Sequence, residues 1–244
     1  MEKILITGTS SGIGLNLAKY FINKNYLVYG ISRTNPDISS EKYKHFKIDL
    51  SNLNSLKEYY DTLRKLKINH FIHNAGMLGE LKKFQDCDLE IWQKVFNVNL
   101  FSGVNILNNI LKSLIDSKGC IIFMAGGGST TSLEKWSSYS TSKTALVRFI
   151  ENIADEYKDT LHAYALSPGV NETKIMRDAI NQGFVYDKSK IVSPELSCKL
   201  CKFLIDKKEY FLSGTQIHVK DDYSKWTIND IDSDKFKLRR ITNF

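Results

Sequence analysis

Short apolar runs alternate along the chain with longer stretches whose apolar residues recur at helical spacing. "KILIT" is the first run and ends in "GTSSGIG", and "LNLAKYFINKN" is the first helical stretch. "YLVYGIS", "KHFKIDL" and "INHFIHNAG" are the next runs, with the polar, helix-like "NSLKEYYDTLRKL" between the last two. "GCIIFMA" and "LHAYALSPG" follow, each behind a helical stretch, and "SGTQIHV" comes late. Apolar runs bounded by turn residues read as strands, and the helical stretches between them call for parallel pairing. The pattern predicts an α/β fold, a doubly wound and mainly parallel sheet with helices on both faces. Such sheets bind ligands beyond the carboxyl ends of their strands, and the glycine-rich polar segments all fall there.

At 244 residues, with 42% hydrophobic and 25% charged positions and only 3 prolines, the chain suits one packed unit. Residues 1–220 read as that domain and 221–244 as a C-terminal tail. No apolar run approaches the roughly 18 residues that span a bilayer. Glu2-Lys3 leads straight into the first strand rather than into a signal peptide, so no membrane association and a cytoplasmic location are expected. The formal charge of +7 raises the question of nucleic acid. The lysines, however, are spread over helix faces and cluster only in the tail's "KFKLRR". A phosphate-bearing cofactor or substrate accounts for them at least as well, and no nucleic-acid partner is expected. "CKLC", Cys198 to Cys201, is an isolated CxxC without a second pair or a histidine cluster. Neither a disulfide framework nor a metal is expected from it.

Thr7 to Gly14 reads T-G-T-S-S-G-I-G, directly between the first strand and the first helix. Gly8, Gly12 and Gly14 permit a tight turn and close approach of backbone to a pyrophosphate, with Ser10, Ser11 and Ile13 completing the cradle. The helix start supplies free N–H groups and positive dipole to the same anion. Its spacing is G-x-x-x-G-x-G. With "NAG" at Asn74 to Gly76, "FNVNL" around Asn99, Tyr139-x-x-x-Lys143 and "SPG" at Ser167 to Gly169, it resembles the short-chain dehydrogenase/reductase family. The likeness runs from residue 1 to about 220, with the motifs in the family's order. It implies a Rossmann-type domain, a nicotinamide cofactor, and hydride transfer at C4 of the nicotinamide to or from a small-molecule carbonyl/alcohol substrate.

The end of the second strand separates the two nicotinamide dinucleotides, since an acid there binds a ribose 2′-OH and an arginine a 2′-phosphate. Here Ser32 stands where the family's NAD-selective members carry the acid, and Arg33 follows it. Arg33 can fork onto a phosphate, so NADP(H) is expected. By resemblance, Asp49 contacts the adenine amino group with Leu50 beside it, and Asn74, Ala75 and Gly76 lie along the adenine ribose. Pro168, Gly169, Val170 and Thr173 match the segment that holds the carboxamide.

Tyr139 and Lys143 lie one helical turn apart and share a face. A nearby ammonium lowers a tyrosine's pKa from about 10, which makes Tyr139 the expected proton donor and acceptor. The resemblance adds that Lys143 holds the nicotinamide ribose and that Asn99 positions a water in a proton relay.

Two departures from the family stand out, and one further segment bears on the substrate. Its serine, thirteen residues before the tyrosine, is replaced by Gly126, behind Ala125. Ser129 could fold back to replace it, Tyr139 could hold the substrate oxygen alone, or catalysis could be weakened and the protein serve as an NADP(H)-binding sensor or interaction protein. Near the C-terminus, Asp221-Asp222 stands where the family has a glycine pair. A homo-oligomer, dimer or tetramer, is still implied, with the tetramer less secure. Residues 174–192 lie where the family has a mobile substrate lid. Met176, Phe184 and Tyr186 could line an apolar pocket there, and Lys174 or Arg177 could meet an anion, or the segment could be ordinary helix packing.

Overall fold

The computed structural model describes residues 1–228 and 233–239. Seven strands form one parallel sheet: β1 (Lys3–Thr7), β2 (Leu27–Ser32), β3 (Tyr43–Lys47), β4 (His70–His73), β5 (Cys120–Met124), β6 (His162–Ser167) and β7 (Gln216–His218). Their order is β3-β2-β1-β4-β5-β6-β7. Each run read from the sequence is a strand. In β1, Leu5 enters one core while Ile4 and Ile6 enter the other, so both faces must be apolar and the alternation disappears from the sequence. β3, "YKHFK", is the exception: it lies at an edge, carries its lysines to solvent and keeps only partial burial.

Among the described residues, eight α-helices cover the sheet: α1 (Gly12–Asn23), α2 (Leu53–Lys57), α3 (Tyr60–Lys65), α4 (Leu89–Phe96), α5 (Ser102–Asp116), α6 (Ser137–Glu156), α7 (Lys174–Asn181) and α8 (Pro194–Lys207). Leu17 and Phe21 of α1 meet Leu200 and Leu204 of α8 on one face. Ile106 and Ile110 of α5 meet Leu146 and Ile150 of α6 on the other. The stretch "NSLKEYYDTLRKL" forms two short helices rather than one. Its break falls at two adjacent tyrosines with different partners. Tyr59 packs edge-on against Phe46, whereas the Tyr60 hydroxyl donates to Asn105 Oδ1 at 2.7 Å.

Cys198 and Cys201 are buried and unbridged on the inner face of α8. Among the described residues no helix is long and apolar enough to cross a membrane, and no cluster could hold a metal ion. The tail turns back on its own chain. Glu151 of α6 is buried and accepts from Leu238 N at 2.6 Å, Arg239 Nη1 at 3.0 Å and Arg148. Of the expected tail and its basic cluster, residues 229–232 and 240–244 lie outside the described residues.

Candidate active site

The strand order reverses between β1 and β4, and a cavity of about 1710 Å³ opens at the carboxyl ends of the strands there. That exceeds the roughly 300–1,000 Å³ of a single small-ligand site, leaving room for a dinucleotide and a substrate together. Its wall contains Gly8, Ser10, Ser11, Gly12, Ile13, Arg33, Asp49, Leu50, Asn74, Ala75, Gly76, Tyr139, Lys143, Pro168, Gly169, Val170 and Thr173. Two of the expected site residues, Gly14 and Asn99, are not in the wall but directly behind it.

The cradle is built by absence of side chains. Gly8 and Gly12 adopt φ of 75° and 57°, the left-handed region that glycine enters without penalty. A Cβ on Gly14 would lie 2.1 Å from the carbonyl oxygen of Gly8 and 2.5 Å from Asn74 Nδ2. Ser11 caps α1 without a side-chain bond to it, so the first N–H groups of the helix remain for an anion. Beneath the cradle, Thr7 Oγ1 accepts from the backbone N–H of Asn74 and of Ala75, at 3.0 and 2.9 Å. The same hydroxyl lies 3.0 Å from Nδ1 of His73, a residue that no sequence motif singles out. His73 Nε2 faces the carbonyl of Val98 at 3.1 Å. A carbonyl only accepts, so Nε2 carries the proton and Nδ1 receives the threonine's. Burial depresses the His73 pKa to about 3, which keeps the ring neutral as this network requires.

From the loop after β2 the wall receives Ser32 and Arg33. Ser32 is buried, its hydroxyl donating to Thr34 O at 2.9 Å, while Arg33 is exposed at the mouth. Asp49 Oδ1 accepts from the backbone and the hydroxyl of Ser51, at 3.0 and 2.8 Å. Glycines at positions 8, 12 and 14, a free helix start and a cavity of this size fit a dinucleotide.

At the other end, Lys143 Nζ donates to Met124 O at 2.7 Å and lies 5.7 Å from the ring centre of Tyr139. Burial pushes the Tyr139 phenol up to about 12 and the Lys143 ammonium down to about 7. The expectation that the lysine lowers the tyrosine's pKa is thus corrected: desolvation acts on both groups, and it opposes the charge that would do the lowering. Asn99 sits in a π-helical segment, Asn97–Phe101, that joins α4 to α5. Its Oδ1 accepts from Met77 N at 2.7 Å, and its Nδ2 donates to Met77 O and Ser142 Oγ at 3.0 and 2.9 Å. That side chain ties the segment after β4 to α6, close behind the tyrosine.

The lysine's shift has a consequence for stability. An unfolded lysine keeps its proton to about 10.4, whereas the folded one releases it near 7. Between those values the unfolded chain holds more protons, so stability rises with pH; below about 7 the penalty is constant. Lys143→Met is therefore expected to melt above wild type at pH 7, with the gap narrowing as pH rises and closing only near about pH 10. Melting curves of the two proteins across that range test this, and a gap independent of pH would refute it.

Gly126 and Ser129 are placed clearly. A Cβ on Gly126 would lie 2.6 Å from the Tyr139 hydroxyl, so the tyrosine occupies room that the family's serine would need. Ser129 is buried, and its hydroxyl accepts from Gln216 Nε2 at 2.8 Å. Over the tyrosine lies an apolar cluster that sequence reading found only in part. Trp136 packs on Tyr139 at 5.7 Å and on Phe184 at 5.0 Å, with Leu78, Ile175 and Ala179 around them. Met176, Phe184 and Tyr186 line the cavity as expected, but Lys174 is paired with Asp178 at 2.9 Å and Arg177 is not in the wall. Gln182 fastens this segment to the opposite rim, accepting from Leu81 N at 2.8 Å and donating to Gly79 O at 3.1 Å. Trp136 and Gln182 carry no local motif; only their place in the fold reveals them.

Comparison with known proteins agrees with this geometry. The family model for short chain dehydrogenase matches residues 2–182. Benzil reductase ((S)-benzoin forming) IRC24 of Saccharomyces cerevisiae is 33% identical over 193 residues, spanning 72% of this chain and 73% of that protein. The benzil reductase of Bacillus subtilis is 28% identical, over 72% and 76%. Among solved structures, 4-hydroxyisoleucine dehydrogenase complexed with NADH gives a TM-score of 0.78 at 24% identity, over 89% of this chain and 96% of that one. The short-chain dehydrogenase/reductase YIR035C of Saccharomyces cerevisiae also gives 0.78, at 21% identity and over 98% and 100%.

Proposed function

The chain belongs to the short-chain dehydrogenase family of oxidoreductases, and from that premise we propose that it is an NADP(H)-dependent reductase of an apolar, aromatic carbonyl compound. The observation that carries the reading is Tyr139 and Lys143 side by side in the wall of a cavity whose far end is the glycine-rich turn Gly8 to Gly14. The nicotinamide supplies the hydride, or accepts it in reverse. This chain's residues do the rest. Tyr139, a neutral phenol at physiological pH, gives its proton to the carbonyl oxygen. Lys143 and the Pro168–Thr173 segment hold the nicotinamide end, together with Gly76, which was expected along the adenine ribose but whose Cβ would lie 3.9 Å from Lys143 Nζ. Gly8 to Gly14 hold the pyrophosphate, and Asp49, Leu50, Asn74 and Ala75 the adenosine end.

Arg33 at the mouth, with a buried serine and no acid before it, supports NADP(H) over NAD(H). Trp136 and Phe184 above the tyrosine favour a planar aromatic substrate, and benzil, the substrate named for two relatives, is the first compound to try. A cytoplasmic enzyme, one catalytic domain over 1–220 and a homo-oligomer remain part of this reading. A second reading, an NADP(H) sensor without turnover, is favoured by Gly126 alone.

Arg33→Ala is expected to raise KM for NADPH about tenfold, the worth of one hydrogen bond to a charged group, and to leave KM for NADH within about twofold. Initial rates on benzil with each cofactor decide it, and an equal effect on both would make Arg33 an ordinary surface residue.

A further inference from the structure

A carbonyl that accepts hydride gathers negative charge on oxygen before the proton arrives, and a second donor aimed at that oxygen is worth much of the rate. The family's donor is absent, and the buried Ser129 hydroxyl is positioned by the Gln216 amide from which it accepts. We infer that the backbone N–H of Gly127 is this donor, hydrogen-bonding the same carbonyl oxygen that Tyr139 protonates. The inference rests on the reading of the site as a carbonyl reductase.

Residues 126–129 form a β-turn closed by Ser129 N donating to Gly126 O at 3.2 Å. Gly128 at φ +84 makes it type II. Such a turn uses the N–H of its fourth residue and leaves those of the two central ones free. Neither Gly127 nor Gly128 has a backbone or side-chain acceptor among the described residues, and both line the cavity.

Of the two, Gly127 is the nearer along the chain to Gly126, which faces the tyrosine. The Tyr139 hydroxyl stands 2.6 Å from where a Gly126 Cβ would be. The Gly127 nitrogen is two bonds from the Gly126 Cα, so it lies within about 6 Å of that hydroxyl. Two donors each about 2.9 Å from one oxygen are at most about 6 Å apart. A Cβ at Gly127 would meet nothing within 4 Å, so the space beside this peptide is open to a substrate. Three glycines in a row serve that purpose, because a side chain at Gly126 would keep the tyrosine, and the carbonyl with it, away from the backbone.

The test compares Gly127→Pro with Gly127→Ala. Proline is favoured at the second position of a type II turn, so it keeps the turn and removes only the N–H. With NADPH and benzil, the proline variant is expected to show a kcat about 10²-fold below that of the alanine variant, the scale of an oxyanion-donor deletion. NADPH affinity should be equal in the two. A readout independent of turnover is the infrared carbonyl stretch of benzil bound with NADP⁺, which should lie at higher frequency in the proline variant. Should proline disturb folding, an ester in place of the 126–127 amide removes the same N–H without a ring. Equal kcat and equal carbonyl frequency in the donor-free and alanine proteins would overturn the inference while leaving the reductase intact. A wild-type protein that turns over no carbonyl, and is indifferent to Tyr139→Phe, would remove the reading beneath it.

Discussion

Tyr139→Phe is expected to lower kcat for carbonyl reduction by about 10²- to 10⁴-fold, the contribution of a positioned general acid. The ring is retained, so its edge contact with Trp136 and its place beside Lys143 survive. Only the hydroxyl is lost. Ser142 Oγ cannot replace it, since it accepts from Asn99 Nδ2 and donates to Tyr139 O, and the Ser129 hydroxyl is positioned by the Gln216 amide from which it accepts. With its phenol pushed up to about 12, Tyr139 holds its proton throughout the physiological range. The reduction rate should therefore not fall above neutrality through loss of the acid. NADPH affinity, measured by fluorescence titration, should change by no more than a few-fold. A phenylalanine variant within about tenfold of wild type would end the assignment of Tyr139 as the acid.

The parts of this site that a sequence can display are those where backbone geometry dictates residue type. Gly8 and Gly12 are glycines because of their positive φ, and the spacing of Tyr139 and Lys143 follows from one helical turn. The strands were readable for a related reason. A parallel strand buried on both faces must be continuously apolar, and the run "CIIFM" has no other use in a chain of this size. Hidden were the features that arise only when distant segments meet. The Tyr139 pKa depends on desolvation by Trp136, Phe184 and Leu78, three separate stretches of chain. Ser129 was a free hydroxyl in the sequence and is a bonded one in the fold, because Gln216, 87 residues away, reaches it. His73 reads as one more residue of a buried strand, yet its ring links Thr7 to Val98 and fixes the loop that carries Asn74. The tail's return to Glu151 is likewise a contact across 87 residues.

Gly14→Ala is expected to be the most damaging single-methyl addition in the cradle, cutting NADPH affinity by at least about 100-fold and lowering the melting temperature. The added carbon would lie 2.1 Å from Gly8 O and 2.7 Å from Gly8 C, both backbone atoms that no rotamer change can clear. Gly8 cannot retreat, since its N–H donates to Ile31 O at 2.7 Å and a Cβ-sized object on its other side would already meet Ala75 Cα at 2.9 Å. The helix start must move instead, which pulls the first N–H groups of α1 away from the pyrophosphate. Overpacking of this kind commonly costs about 1–3 kcal/mol, and more where the obstacle is rigid. Gly12→Ala makes the sharper comparison. Its Cβ would meet only Thr173 Cγ2 at 3.3 Å, a side-chain methyl, but its φ of 57° charges a conformational penalty instead. Gly12→Ala should therefore lower stability by about 1 kcal/mol with a smaller loss of NADPH affinity than Gly14→Ala. Thermal melts and NADPH titrations of both variants separate collision from backbone strain. If Gly14→Ala bound NADPH as tightly as wild type, the cradle could not be the pyrophosphate site.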